Sequence, residues 1–443
     1  MMDWLKATAS DLGRGIGAGE INPVELTEAY LEAIAASELS PRIYTQVTAK
    51  RARSEAEAAR KRAQNEARLG LLDGVPVSWK DLFDSAGIAT EAGSDLLSGR
   101  VPSEDAEVLR TATLSGSVCL GKTHLSELAF SGLGLNPVKE TPPCVNDMEA
   151  VAGGSSSGAA TSVAFGLAPI SIGSDTGGSV RIPAAWNDLV GLKTTAGRVS
   201  CRGAVPLCER FDTVGPLARS VEDAAQMLAM LEGGKPADLE GATVKGLRVC
   251  VLKTIAQDDL DASASKGFEQ ALSQLNSAGI VAADFEFSAL NEAMDFSPVL
   301  FSAEAYGIWK SEIEAAPEKM FPPILERFRS GKDVLAADYV AAWRRLEVIR
   351  HEWAAASSSF DVVVLPTAPI MPPKHQRLLD DKDYYVEQNL MTLRNTRIGN
   401  LLGLSALTLP TSVPSAGFMM LGGPMQEEAL LRYGCAAEDI VKS

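Results

Sequence analysis

Histidine is scarce in this chain of 443 residues, which carries only His124, His351 and His375. A metal centre built from several histidines therefore lacks ligands, and none of the six cysteines falls in a C-x-x-C pair. Scattered cysteines in a chain of this size are typical of buried thiols in a reducing compartment. We therefore expect no metal, no cofactor and a cytoplasmic location.

Long apolar runs and excess positive charge are also missing. No stretch reaches the about 18 consecutive apolar residues of a membrane-spanning helix. Met1 to Lys6 lack the basic region and apolar core that mark a signal peptide. Lys and Arg number 41 against 57 Asp and Glu, a formal net charge of −16, so polyanions would be repelled. The composition predicts no membrane and no direct nucleic-acid partner.

What is present is enough apolar surface for a large core, since 46% of the residues are hydrophobic. Short apolar runs that resemble strands alternate with amphipathic, helical stretches. These runs are Gly74 to Trp79, Ser117 to Leu120, Leu247 to Leu252 and Phe360 to Leu365. Such alternation predicts one layered α/β domain with helices on both faces of a sheet.

One segment matches the phosphate-binding P-loop pattern G-x-x-x-x-G-K-[ST], from Gly116 to Thr123. A true P-loop needs a strand before its first glycine and a loop between its glycines. Here the residues between the glycines are themselves strand-like, and residues 105–115 before them read as a helix. We interpret the segment as a strand with a structural Lys122, and a P-loop is the alternative.

A second segment, Gly154 to Gly158, matches the nucleophile-elbow pattern G-x-S-x-G centred on Ser156. An elbow requires an apolar strand directly upstream, together with an acid and a histidine downstream. The upstream residues, Cys144 to Glu149, are polar, and His351 and His375 lie in no recognisable context. These features disfavour an elbow, and we keep an esterase of the α/β-hydrolase type that uses Ser156 only as a second alternative.

Three further segments combine serines, glycines and a lysine. They are GVPVSWKD, which contains Lys80, GGSSSG from Gly153, and GSDTGGSVRIP from Gly173. Serine is a weak nucleophile without a base, and with so few histidines the natural base is a desolvated, neutral lysine. Lys80 ends an apolar strand, and residues 176–179 offer consecutive backbone N–H groups that could bind an oxyanion.

Together the three segments resemble the amidase signature family, through G-V-P-x-x-x-K-D, G-G-S-S and G-S-D-T-G-G-S-x-R-x-P. The resemblance is strong over about 74–232 and loose elsewhere. It implies a single α/β/α layered domain over residues 1–443, with a central mixed β-sheet covered by helices on both faces. Within it we expect an N-terminal helical segment (1–70), a signature core (74–232) and a pocket-shaping part (240–443).

The resemblance also implies roles for individual residues. Lys80, Ser155 on a cis peptide and Ser179 would form the catalytic triad, with Ser179 as the nucleophile that carries the acyl group. The remaining implied roles are an oxyanion hole from the N–H groups of Thr176, Gly177, Gly178 and Ser179, and support from Asp175, Arg181 and Ser156. For Arg181, contact with a substrate carboxylate is the alternative.

The function implied is hydrolysis of a small carboxylic or urea-like amide to an acid and ammonia or an amine, with a homodimer left open. One alternative is the glutaminase (A) subunit of a tRNA-dependent amidotransferase, although the G-x-E-V-x-R-R-I stretch of that subunit is absent around Phe321 to Arg329. A non-catalytic binding subunit is another alternative, disfavoured by the retained Lys80, Ser155 and Ser179. We expect four arginines to lie at the surface, and binding of an anionic substrate is the alternative role for them. They are Arg327, Arg329, Arg344 and Arg345.

Overall fold

The computed structural model describes residues 3–443, so the first two residues of the predicted N-terminal segment lie outside it. The described residues form thirteen strands and sixteen α-helices. The strands are β1 (Tyr44–Val47), β2 (Pro76–Lys80), β3 (Val118–Thr123), β4 (Pro143–Cys144), β5 (Asp147–Val151), β6 (Ile170–Asp175), β7 (Val190–Lys193), β8 (Thr213–Ala218), β9 (Arg248–Leu252), β10 (Val281–Phe285), β11 (Val362–Pro366), β12 (Ser405–Pro410) and β13 (Gly417–Gly422).

The helices cover the connections between these strands. They are α1 (Ala9–Gly17), α2 (Pro23–Ala36), α3 (Ser40–Ile43), α4 (Ala49–Gln64), α5 (Glu107–Leu114), α6 (Ser157–Ala164), α7 (Arg181–Trp186), α8 (Val221–Glu232), α9 (Ala262–Ser277), α10 (Ala289–Asp295), α11 (Ser297–Ala315), α12 (Pro322–Arg329), α13 (Ala336–Ser357), α14 (His375–Asp380), α15 (Lys382–Leu401) and α16 (Glu427–Lys442). Among residues 3–443, no helix is both long and apolar enough to cross a membrane.

Eleven of the strands form one continuous sheet, in the order β1-β3-β2-β6-β8-β7-β12-β13-β11-β9-β10. Strand β2 runs parallel to β3 and β6, and β9 runs parallel to β10 and β11. The strands between these two groups pair antiparallel. The predicted central mixed sheet is therefore confirmed, and it passes without interruption from the signature core into the C-terminal part.

Helices cover both faces of this sheet. A Cβ built on Gly191 of β7 would lie 2.7 Å from Ala184 Cβ, so α7 packs directly on one face. A Cβ built on Gly434 of α16 would overlap the Leu407 side chain of β12. Leu407 pairs with Leu192, which follows Gly191 and therefore points to the other face. The predicted α/β/α layering is confirmed.

The segment that matches the P-loop pattern is strand β3, preceded by helix α5. Lys122 within it is fully buried, and its Nζ donates hydrogen bonds to Asp81 Oδ1 at 2.9 Å and to Thr90 Oγ1 at 3.0 Å. Its ammonium is therefore committed to the interior of the protein. The interpretation of this segment as a strand with a structural lysine is confirmed.

The fold places the ends of two sequence motifs side by side. Strands β2 and β6 are parallel neighbours, so their carboxyl ends meet at one edge of the sheet. Lys80 is the last residue of β2 and Asp175 is the last residue of β6. The loop that follows β6, which contains Ser179, and the segment that precedes α6, which contains Ser155, both lie at this edge. Together they form the candidate active site.

Candidate active site

Lys80 is fully buried, and its amine contacts two serine hydroxyls. Its Nζ lies 2.7 Å from Ser155 Oγ and 2.8 Å from Ser174 Oγ. No carboxylate among residues 3–443 forms an ion pair with it, in contrast to Lys122, which pairs with Asp81. The amine therefore lies in a site with polar but uncharged immediate neighbours.

This burial changes the protonation of Lys80. Desolvation lowers the pKa of its amine to about 7, because the charged form loses its hydration. The negative charges of Asp175 and Asp212 act in the opposite direction and limit the fall. A substantial fraction of Lys80 is therefore neutral near neutral pH and able to accept a proton, which an ordinary surface lysine is not.

Ser155 lies between Lys80 and the loop that follows β6. The peptide bond between Gly154 and Ser155 is cis. The Ser155 carbonyl accepts a hydrogen bond from the Ser126 N–H at 3.1 Å, and the next amide, Ser156 N–H, donates to the Ser179 carbonyl at 3.2 Å. These backbone bonds hold the serine-rich segment beside the segment that contains Ser179.

Ser179 lines a small cavity that its own loop helps to form. Thr176, Gly177 and Ser179 line this cavity, whose volume is about 30 Å³. No hydrogen bond joins the hydroxyls of Ser155 and Ser179, and the Ser179 hydroxyl has no hydrogen-bond partner within residues 3–443. The structure thus brings Lys80 and Ser155 into direct contact, and brings Ser179 into their neighbourhood with its hydroxyl unengaged.

The loop amides are not all equivalent. The N–H groups of Thr176, Gly177 and Ser179 have no acceptor in the part of the chain that the structure describes, whereas the Gly178 N–H donates to Asp175 Oδ1 at 2.9 Å. Gly178 has a φ of 142°, and a Cβ there would overlap Thr396 Oγ1. The Gly178 N–H is therefore engaged within the loop, so three of the four amides expected to form an oxyanion hole are free and Gly178 is not.

Asp175 and Arg181 form a buried ion pair beneath this loop. Arg181 Nη2 donates to Asp175 Oδ1 at 2.9 Å and Arg181 Nε donates to Oδ2 at 3.0 Å, and both side chains are fully buried. Burial alone would raise the pKa of Asp175, but the charge and hydrogen bonds of Arg181 outweigh it and hold the pKa well below its usual value. The guanidinium is also bonded to the Thr396 carbonyl and to Asn400. This geometry favours loop support for Arg181 over contact with a substrate carboxylate.

Helix α15 holds the same loop from the C-terminal part of the chain. Asn400 Nδ2 donates to Asp175 Oδ1 at 2.9 Å, and Thr396 Oγ1 donates to the Gly177 carbonyl at 2.7 Å. Sequence reasoning missed both residues. Both lie in the part of the chain where the resemblance to the family is loose, so no motif marked them. Ser174, the second partner of Lys80, was also missed although it lies inside the third motif.

The structure does not support an elbow at Ser156. This residue lies directly before α6 rather than after a strand, since β5 already ends at Val151. Its Oγ donates to the Ser174 carbonyl at 3.2 Å, and no histidine ring in residues 3–443 bonds to it. His351, for example, bonds through Nδ1 to the Glu347 carbonyl. Ser156 therefore supports the loop and has no base.

Three of the four arginines discussed above lie away from the site, as expected, and one does not. Arg329 pairs with Glu314, and Arg345 pairs with Glu292 and Glu352. Arg344 is exposed. Arg327, however, lines the cavity of Ser179 together with Arg397 of α15. The expectation of a surface position for Arg327 was wrong, because one face of α12 turns toward the site.

Three much larger cavities, of about 610, 650 and 770 Å³, contain none of the predicted catalytic residues. Volume therefore does not mark the site in this protein, and the chemistry of the lining residues does. Within residues 3–443, no group of three or more His, Cys, Asp or Glu side chains is arranged to hold a metal ion. What the small cavity offers is the hydroxyl of Ser179 and the free backbone N–H groups of Thr176, Gly177 and Ser179.

Comparisons with known proteins agree with this arrangement. The model of the Amidase family matches residues 25–431. The chain belongs to this family. The predicted family membership is thus confirmed, and with it the general activity of the fold, hydrolysis of C–N amide bonds.

Individual Amidase relatives differ in what they are named for. A 2-amino-5-chloromuconic acid deaminase from Comamonas testosteroni is 35% identical, over 88% of this chain and 87% of its own. The A subunit of a glutamyl-tRNA(Gln) amidotransferase from Anaeromyxobacter is 32% identical, over 97% of this chain and 95% of its own. A crystal structure of an amidase superposes with a TM-score of 0.88 at 28% identity, over 98% of this chain and 100% of that chain.

Proposed function

We propose that this protein hydrolyses a small amide through an acyl-enzyme on Ser179, with Ser155 and Lys80 as the proton relay. The observation that carries the proposal is the buried amine of Lys80, 2.7 Å from Ser155 Oγ and without a carboxylate partner. A lysine in such a site gains little from its charge, so its amine is available as a base.

In the proposed mechanism, Ser179 Oγ attacks the amide carbonyl carbon while its proton passes to Ser155 Oγ and the proton of Ser155 passes to Lys80 Nζ. The negative charge that develops on the carbonyl oxygen is met by the free N–H groups of Thr176, Gly177 and Ser179. The C–N bond then breaks, and the leaving nitrogen takes a proton back through Ser155. Water then attacks the acyl carbonyl carbon while one of its protons passes through Ser155 to Lys80. When the bond to Ser179 Oγ breaks, a proton returns through Ser155 to Ser179, which releases the acid and restores the three groups.

One contact of this relay is not made in the structure, the bond between the hydroxyls of Ser155 and Ser179. A serine hydroxyl moves between staggered χ1 positions at little cost, and that of Ser179 has no competing partner to break. Hydrogen bonds of catalytic groups commonly tighten only once substrate is bound. The proposal therefore requires the Ser179 hydroxyl to turn toward Ser155 when substrate binds.

The test of this proposal is active-site labelling followed by turnover. A fluorophosphonate probe should modify the tryptic peptide that contains Ser179, and Ser179→Ala should abolish both the labelling and ammonia release from simple amides. Ser156→Ala serves as the matched control, because Ser156 lies in the same serine-rich segment as Ser155 and should leave the labelling intact. Modification of Ser156 in the wild type would overturn the assignment of the nucleophile.

A second candidate function is that of the glutaminase component of a tRNA-dependent amidotransferase. It is favoured because the similarity to two amidotransferase A subunits extends over 96–97% of this chain and 95% of each relative. The same Ser179 chemistry would serve it, with glutamine as the amide. Glutamine hydrolysis that required partner proteins, tRNA and ATP would establish this second function. Hydrolysis of other amides by the isolated chain supports the first.

A further inference from the structure

We infer that the cavity of about 610 Å³ between α13 and the ends of β7, β11, β12 and β13 is an effector site for a small aromatic acid. The acid carries one carboxylate or phosphate on a planar ring. None of the predicted catalytic residues lines this cavity. The site is therefore separate from the cavity of Ser179, and it does not depend on the proposed function.

The cavity has the size and the walls of a small-molecule site. Pockets that bind organic ligands have volumes of roughly 300–1,000 Å³ and mostly apolar linings with a few polar groups. Buried apolar side chains line part of this cavity, among them Phe211, Trp353 and Leu421. Arg210 and Gln426, which also line it, are exposed, so the cavity opens to solvent. These walls suit a planar apolar ring that enters from solvent.

The charged side chains of the lining leave an excess of positive charge. Both carboxylates among them, Glu347 and Asp361, are already paired with an arginine. Within residues 3–443, no carboxylate forms an ion pair with the Arg210 guanidinium, because Glu304 bonds to the backbone N–H of Arg210 instead. In a chain with a net charge of −16, this is a local exception that favours an anionic ligand. The charged groups of the lining are Lys193, Arg210, Glu347, Arg350 and Asp361.

Two guanidiniums of this lining meet at one indole ring. The Cζ atoms of Arg210 and Arg350 lie 4.5 and 5.4 Å from the centre of the Trp343 ring. Arg350 Nε donates to the Leu401 carbonyl and Nη1 to Glu347, and no acceptor within residues 3–443 bonds to its Nη2. Burial lowers the pKa of Arg350 despite its pair with Glu347, and the charge of Arg210 adds to the fall. An anion placed against both guanidiniums relieves their repulsion and accepts their free N–H groups.

Two contacts connect this cavity to the loop that contains Ser179. Phe211 lines the large cavity, and its ring centre lies 4.3 Å from that of Phe301, which lines the cavity of Ser179. Asn400 also lines the large cavity, and its Nδ2 donates to Asp175 beneath the loop. A ligand that packs against Phe211 and Asn400 therefore acts on the support of the active site without entering it. Ligand binding and amide binding are then coupled, and such coupling is reciprocal.

The binding test uses cinnamate and phenyl phosphate, with cinnamyl alcohol as the neutral isostere of cinnamate. In calorimetry on the wild type, we expect cinnamate to bind about 10- to 100-fold more tightly than cinnamyl alcohol, as for hydrogen bonds to a charged group. Arg210→Met and Arg350→Met should each weaken cinnamate binding by about tenfold or more. Arg345→Met, on the same helix as Arg350 but paired with Glu292 and Glu352, is the matched control and should leave the affinity unchanged. The tighter of cinnamate and phenyl phosphate identifies the head group.

Two results of this titration would overturn the site. One is equal affinity for cinnamate and cinnamyl alcohol, or cinnamate binding that Arg210→Met leaves unchanged. The other is loss of binding in Arg327→Met, which would place the ligand in the cavity of Ser179.

Steady-state kinetics on a simple amide tests the effector role. Saturating cinnamate should change kcat/KM of the wild type by about fivefold or more, the lower end of common allosteric couplings, and leave that of Arg210→Met unchanged. Wild-type kinetics that do not respond to saturating cinnamate would contradict the effector role and leave the proposed function intact. Cinnamate binding that depends on Arg210, in a wild type that hydrolyses no amide, would refute the proposed function alone.

Discussion

Two lysines of the central sheet, Lys80 at the end of β2 and Lys193 at the end of β7, have the same burial but different neighbours. Both are at most 1% exposed, and desolvation lowers the pKa of each to about 7. Lys80 Nζ lies against the hydroxyls of Ser155 and Ser174. Lys193 Nζ donates instead to two backbone carbonyls, those of Thr194 at 2.9 Å and Leu404 at 2.7 Å.

The comparison teaches that a lowered pKa does not by itself identify a catalytic base. A hydroxyl both accepts and donates, so a proton can travel through Ser155 to Lys80, whereas a carbonyl only accepts and has no proton to give to Lys193. Repulsion by Arg181 adds to the lowered pKa of Lys193, which reflects its place beside the ion pair under the loop. In the proposed mechanism, proton transfer therefore belongs to Lys80, and Lys193 has a structural role.

The largest effect is expected when the amine of Lys80 is removed. Lys80→Met should lower kcat on a simple amide by about 10²- to 10⁴-fold with little change in KM, the range typical for a general base. Lys80→Arg should not restore activity, because a guanidinium stays charged and cannot accept a proton. Steady-state kinetics of both variants, with circular dichroism to verify folding, is the measurement.

Lys193→Met is the matched control for that experiment, since it removes an equally buried amine from the same sheet. Its kcat should fall less than tenfold. A loss as large as that of Lys80→Met would mean that burial alone, and not the hydroxyl neighbours, determines the role of these lysines.

The site also shows which features can be predicted from local sequence patterns and which cannot. The motifs around Lys80, Ser155 and Ser179 predict one cluster, because each combines a polar group with a strand end or a glycine-rich turn. Local patterns also separate the strand at Lys122 from a P-loop, since apolar residues fill the space between its glycines. The sequence could not reveal that Gly178 gives its N–H to Asp175, which depends on side-chain geometry within the folded loop.

The C-terminal part of the site was beyond sequence reasoning for a different reason. Arg327 and Arg397 lie on separate helices, and an arginine on a helix is equally consistent with a surface position. Only the packing of α12 and α15 against the loop brings them to one cavity. Long-range packing of this kind leaves no signature in local spacing, and Thr396 was missed for the same cause.

A third buried lysine sharpens the comparison through stability. Lys122 pairs with Asp81, whose side chain is 3% exposed, so Lys122→Met leaves a buried carboxylate without its partner. We expect the free energy of unfolding to fall by about 3–5 kcal/mol, as for other broken buried pairs. Urea denaturation is the measurement, and adding Asp81→Asn should recover part of the loss. An unchanged midpoint would show that the pair does not stabilise the fold.

A smaller loss of stability is expected for Lys193→Met. The substitution orphans the carbonyls of Thr194 and Leu404, at a cost of about 1–3 kcal/mol, and relief of the repulsion between Lys193 and Arg181 offsets part of it. The same urea titration measures the effect beside Lys122→Met. A larger loss than that of Lys122→Met would contradict the view that Lys193 stabilises the fold only through its hydrogen bonds to two carbonyls.

The most direct test of a neutral Lys80 as the base is the pH dependence of kcat/KM, measured for the wild type and Lys193→Met on one neutral amide. Protonation below the pKa of about 7 removes the base, so activity should fall tenfold per pH unit on the acid side and level off above that pKa. Because Lys193 has a similar pKa, the variant decides which amine is responsible. We predict that Lys193→Met keeps the fall in activity on the acid side near pH 7. Loss of this acid limb in Lys193→Met, or a flat profile in the wild type down to pH 5, would contradict the account.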